Sequence, residues 1–127
     1  MVDFRPFRGV RYASGAGSLS DLICPPYDVI SLGAEQRLRA KNPHNMVRLE
    51  LAEADGIRDP AQYSVAASSY AAWLADGTLA RDSKAAYYIL RQRFPAIQGG
   101  TAERYAVLGA LRIEELGVGV LPHENTG

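Results

Sequence analysis

AYYILRQRFPAIQGGTAERYAVLGALRI, residues 86–113, is the stretch on which the fold turns. Two runs rich in Tyr, Ile, Leu and Val, residues 86–94 and 104–113, flank a connector that holds a proline and a glycine pair. Aromatic and branched side chains suit a pleated surface and Gly-Gly suits a tight reversal, so the stretch reads as a β-hairpin. Each run is apolar on both faces, with Tyr88 and Leu90 on one and Tyr87 and Ile89 on the other. Strands patterned in that way belong inside a sheet covered on two sides.

Toward the N-terminus, residues 60–76 carry the clearest helical signal. Asp59 is placed to cap the helix, Pro60 takes its first position, and Gly77 stands just past its end. Tyr63, Ala66, Ala67, Tyr70, Ala71 and Leu74 recur at helical spacing and predict the buried stripe, with Trp73 at its edge. A second helix is predicted over 32–41, with Ser31 as N-cap, Glu35 in the first turn and Asn42-Pro43 ending it. Between the two, MVRLEL (46–51) alternates Met46, Arg48 and Glu50 against Val47, Leu49 and Leu51, which predicts a half-buried strand. Residues 7–12 predict a first strand, and SGAGSLS (14–20) a flexible turn. The expected fold is mixed α/β (α+β), a mixed β-sheet with two main helices and a C-terminal β-hairpin, in one domain spanning residues 1–127.

A chain of 127 residues, 47% hydrophobic and 22% charged, has room for one core and an ordinary globular surface. Fourteen basic residues balance fourteen acidic ones. The basic excess that nucleic-acid and membrane-surface binders carry is missing, so neither partner is expected. Cys24 is the only cysteine, which excludes an intrachain disulfide. The opening MVDFRPFRGVR has no signal-peptide core, and no apolar run approaches the roughly 20 residues that cross a bilayer. A cytoplasmic location is the expectation. At the other end, Val118, Val120 and Leu121 run straight into Pro122-His123-Glu124-Asn125-Thr126-Gly127, which reads as the cut end of a longer protein. Apolar surface bared by such a cut would favour a homo-oligomer.

Familiar catalytic motifs are absent. His123-Glu124 begins a zinc-protease pattern, but Gly127 stands where the second histidine belongs. There is no Gly-Lys-Ser/Thr for a phosphate loop, and Gly15-Ala16-Gly17 lacks the third glycine of a dinucleotide turn. Cys24, His44 and His123 share no metal-ligand spacing, so no metal is assigned, and no serine sits in a Gly-x-Ser-x-Gly elbow. No cofactor follows from the residues.

Three polar clusters remain. Pro25-Pro26-Tyr27-Asp28 is a stiff loop presenting a phenol and a carboxylate, or else a turn in which Asp28 caps backbone. Asn42-Pro43-His44-Asn45 with Arg48 offers donors suited to an anion, or else a solvated loop. His123-Glu124-Asn125-Thr126 gathers an imidazole, a carboxylate and a hydroxyl fit for acid–base work or for holding a phosphate. The candidate catalytic residues are therefore His123, Glu124 and Thr126, and the candidate substrate-binding residues Tyr27, Asp28, His44 and Arg48.

In order, PFRGVRY, PPYDVI, NPHNMVRLEL, WLADGTLARD, YYILRQRF and LPHENTG resemble the bacterial and archaeal family called domain of unknown function 1015. The resemblance spans essentially the whole chain. It implies a much longer protein, whose later portion carries an Asp-Gly-His-His-Arg signature absent here. That signature is similar to one in ParB/sulfiredoxin-like proteins, among them kinases that phosphorylate free serine. The resemblance thus implies a small-molecule phosphotransferase, inactive as this stretch alone. The alternative is a non-catalytic module that binds a metabolite or a protein, and a ParB-like DNA role comes third. The expected ligand is a small or phosphate-containing molecule.

Overall fold

The computed structural model describes residues 2–52, 61–115, 117, 119 and 120. In chain order its elements are β1 (Phe4–Arg5), β2 (Val10–Tyr12), α1 (Leu19–Leu22), α2 (Leu32–Lys41), α3 (Val47–Glu50), α4 (Ala61–Ala75), β3 (Leu79–Arg81), β4 (Tyr88–Pro95), β5 (Thr101–Leu108) and β6 (Ala110–Leu111). The mixed α/β class, the two main helices and the hairpin are all present. The strands pair as three two-stranded antiparallel sheets, β1–β6, β2–β3 and β4–β5. Packing divides the chain into two compact units, Val10–Arg81 and the pair of segments Met1–Gly9 and Asp82–Gly127.

Within Val10–Arg81, α2 starts and stops where its caps demand. The Ser31 hydroxyl accepts from the Ala34 N–H, Glu35 pairs with Arg39 one turn on at 2.8 Å, and Asn42 ends the helix in extended backbone. The proposed caps Asp59 and Pro60 of α4 lie outside the described residues. At its other end Gly77 takes φ +82°, a left-handed conformation that glycine adopts without a Cβ penalty.

The buried face of α4 is rotated from the expected stripe. Trp73 is buried at its centre and Tyr70 and Leu74 are half-buried, whereas Tyr63 and Ala67 face solvent, Tyr63 at 70% exposure. Alanine and serine occupy so much of this helix that its spacing gives little direction. The single tryptophan, the largest apolar side chain, sets the rotation instead. Trp73 joins Leu22, Val47 and Leu79 as the buried apolar residues among the described residues of this unit.

The second correction concerns MVRLEL. Residues 47–50 form a helical turn, with Glu50 N–H bonded to the Met46 carbonyl at 3.1 Å and Leu51 N–H to that of Val47 at 2.8 Å. The cause lies one residue upstream. Asn45 is fully buried, and its carboxamide oxygen accepts from the Val47 N–H at 3.0 Å, satisfying a donor that a helix start leaves unpaired. The Asn45 side-chain N–H₂ donates to the carbonyls of Asp21 at 2.7 Å and Ile23 at 3.2 Å, while Met46 N–H donates to Leu22 at 2.7 Å. Asn45 thus ties the end of α1 to the start of α3. An alternation of six residues is too short to overrule that anchor.

In the other unit, β4 and β5 pair from Tyr88↔Leu108 to Pro95↔Thr101. Gly99 and Gly100 turn the loop at φ +87° and +82°. Phe7 bridges Ala86, and the Tyr88 hydroxyl accepts from Gly9 N–H and donates to the Asp82 carboxylate, each at 2.6 Å. The expected strand 7–12 is therefore split: Phe7 belongs with Ala86, and Val10–Tyr12 pairs with β3. The expectation that the hairpin is covered on both faces is not met by this chain. Ile89 is 66% and Val107 58% exposed, and Leu90 and Leu111 are exposed as well. Among the described residues β4 and β5 have only each other as strand partners, and apolar side chains on both faces, such as Ile89 and Leu90, stay exposed.

Candidate functional site

The two prolines of Pro25-Pro26 deliver the chain into a 3₁₀ turn over Tyr27–Val29, closed by Val29 N–H on the Pro26 carbonyl at 3.1 Å. Proline fixes its own backbone and restricts the residue before it, so this turn is pre-set by sequence. It presents the Tyr27 phenol, 64% exposed. The Asn45 anchor places α3 and the residues that follow it, and α4 packs against α3. Tyr27, the end of α3 and the start of α4 then border a cleft of about 510 Å³, lined by Leu49, Glu50, Leu51, Ala52, Gln62, Tyr63 and Ala66 together with Tyr27. That volume lies within the roughly 300–1,000 Å³ of small-molecule sites.

The lining is chemically one-sided. Two phenols and a carboxamide give polar handles, Glu50 contributes a carboxylate, and the rest is aliphatic. Among the described lining residues there is no basic side chain. Glu50 also helps hold the half-buried Cys24 thiol above its ordinary pKa, burial being the larger cause and the Glu50 charge the second. A thiol kept protonated in this way is a poor nucleophile at neutral pH. Among the described residues no three His, Cys, Asp or Glu side chains gather to hold a metal.

The candidate residues of the sequence are distributed as follows. Tyr27 lines the cleft. Asp28 follows it in the same turn, exposed, with no side-chain hydrogen bond among the described residues. His44 packs its ring edge-on against Trp73 at 5.4 Å and approaches the Asp76 carboxylate at 3.9 Å. Arg48 donates to the Arg39 carbonyl at 3.2 Å, and its Nε is buried without a partner. Arg39 in turn donates to the Leu51 carbonyl as well as to Glu35. His44 and Arg48 are thus engaged with other groups of the same unit and are not among the described residues lining the cleft. His123, Glu124 and Thr126 lie outside the described residues.

Glu50, Gln62 and Tyr63 were not singled out from sequence. Reading 46–51 as a strand made Glu50 a solvent-facing alternate, and Tyr63 was assigned to the core. Asn45 stands one residue before the Met46 N-cap, so its part in starting α3 shows only in the folded chain.

No curated protein and no solved structure matches this chain. The model of the family described as "Protein of unknown function (DUF1015)" matches residues 4–127, and the chain belongs to that family.

Proposed function

We propose that this chain is a binding module whose α3–α4 cleft takes a small molecule bearing an amine or quaternary ammonium group. One observation carries this reading: Glu50 lines the cleft together with Tyr27, Tyr63 and Gln62, and no basic side chain is among its described lining residues. A carboxylate attracts a cation, and phenol faces add to that attraction by about 0.5–1 kcal/mol each at exposed sites. Cations are therefore favoured over anions in this cleft.

Phosphoryl transfer to such a molecule is the second reading. It is favoured by the His123-Glu124-Asn125-Thr126 string, whose imidazole, carboxylate and hydroxyl suit a phosphoryl-transfer site. The first reading does not need it.

Calorimetric titration with choline and with ethanolamine tests the proposal. Saturable binding that weakens about 3–10-fold in Glu50→Gln, the loss of one charge contact in a wet site, is the expected result. Binding unchanged by Glu50→Gln and Tyr63→Ala would remove it. Adding a nucleoside triphosphate to the same mixtures, with His123→Ala as control, decides the second reading: no transfer, or transfer unchanged in the variant, sinks it.

A further inference from the structure

The β1–β6 sheet lies in the other unit and plays no part in the cleft. Phe4 pairs with Leu111 and Arg5 with Ala110, and Arg112 N–H donates to the Asp3 carbonyl at 3.0 Å. Side chains alternate along each strand, so this register gathers Asp3, Arg5, Ala110 and Arg112 on one face. Those residues and Leu111 border a hollow of about 340 Å³. Ala110 keeps it open, since a larger side chain opposite Arg5 would fill it.

Two arginines and one aspartate border this hollow, a net single positive charge among its described lining residues. Asp3 is committed to Arg5, its Oδ1 accepting from the Arg5 Nε at 2.6 Å. That bond uses the inner nitrogen of the fork and leaves the two terminal nitrogens unpaired among the described residues. The Arg112 side chain has no partner among them either. Arg5 is 72% exposed, so its free nitrogens are open to solvent. A planar fork with free terminal nitrogens is the usual recognition element for an oxyanion, which it grips through two parallel hydrogen bonds.

We infer that the Asp3, Arg5 and Arg112 face of β1–β6 binds a compact oxyanion, a phosphate or carboxylate group carried by a small molecule. Arg112 and the terminal nitrogens of Arg5 hold the anion. Asp3 holds Arg5 in place and at the same time competes with the ligand for its charge. Asp3 therefore sets the strength of the site as well as its shape. This inference stands on the register and charges of one sheet and is independent of the α3–α4 cleft.

The test is a titration of the whole chain with sodium phosphate, and separately with sodium succinate, at constant ionic strength set with chloride. Backbone amide shifts are the readout. Saturable shifts are expected at Asp3, Arg5, Ala110 and Arg112, and whichever anion saturates first names the class. Arg5→Ala and Arg112→Ala should each weaken binding about 3–10-fold, as loss of one charge from a partly exposed pair predicts. Asp3→Asn should tighten it by a similar factor, since the competing charge goes while the carbonyl that receives Arg112 N–H stays. A face with a purely structural role would not give that gain. Shifts no larger than chloride produces, or weaker binding in Asp3→Asn, would overturn the inference.

Discussion

Replacing Asn45 by alanine perturbs the one buried polar side chain among the described residues of the Val10–Arg81 unit. Three hydrogen bonds vanish: two from its N–H₂ to the Asp21 and Ile23 carbonyls at 2.7 and 3.2 Å, and one to its oxygen from Val47 N–H at 3.0 Å. A buried group left unpaired costs about 1–3 kcal/mol. The shorter two bonds should count nearly in full, and the 3.2 Å bond for less. The expected loss is therefore about 3–5 kcal/mol, a large part of the 5–15 kcal/mol typical of a domain. Asn45→Asp provides the sharper comparison. Its carboxylate still accepts from Val47 N–H but turns a second oxygen on two carbonyls, so at neutral pH it should destabilise at least as much as alanine. Trp73 is the only tryptophan and sits buried in this unit, so its fluorescence follows the unfolding of this unit. With a urea slope of about 1–3 kcal/mol/M, the midpoint should fall by at least 1 M. A loss under about 1 kcal/mol, or an aspartate variant more stable than the alanine one, would refute the anchor.

Two further outcomes follow from single contacts. The Tyr12 hydroxyl donates to the His44 carbonyl at 2.7 Å, and burial, helped by the charge of Cys24 when ionised, pushes its pKa up to about 12. A raised pKa means that the fold favours the protonated phenol. That contribution is intact below the ordinary tyrosine value of about 10 and is lost as pH climbs toward about 12. Absorbance at the phenolate band should show one late-titrating tyrosine that is missing in Tyr12→Phe; titration of every tyrosine near the ordinary value would contradict this. In the other unit, a Cβ at Gly9 would meet the Tyr88 hydroxyl oxygen at 2.6 Å and its ring at 2.7 Å. Gly9→Ala should cost about 1–3 kcal/mol by overpacking in a urea melt followed by tyrosine near-ultraviolet dichroism. An unchanged midpoint would mean that Tyr88 swings away freely.

Local chemistry was the part of the fold most legible in sequence. Ser31, Asn42-Pro43 and Gly77 bound their helices because each acts on its own backbone, and Gly99-Gly100 turns the hairpin for the same reason. What sequence did not reveal depends on groups distant along the chain. Val47 begins a helix because Asn45 is held by carbonyls more than twenty residues upstream. The face of α4 is chosen by Trp73 packing near Tyr12 and His44, a choice that its own alanines and serines leave open. Of the site, Tyr27 was visible through its proline-stiffened turn. Glu50 and Tyr63 were hidden by the strand and stripe readings, and only the folded chain brings them beside Tyr27.

The most direct measurement of the central claim compares two probes of one shape, choline and its uncharged carbon isostere 3,3-dimethyl-1-butanol, binding to the same protein. If Glu50 and the Tyr27 and Tyr63 rings recognise a positive charge, choline should bind at least about 10-fold more tightly, a difference of about 1.4 kcal/mol. The gap should shrink to about 3-fold or less in Glu50→Gln. Equal affinity for the two probes in the unaltered protein would contradict the account, because the cleft would then respond to shape alone.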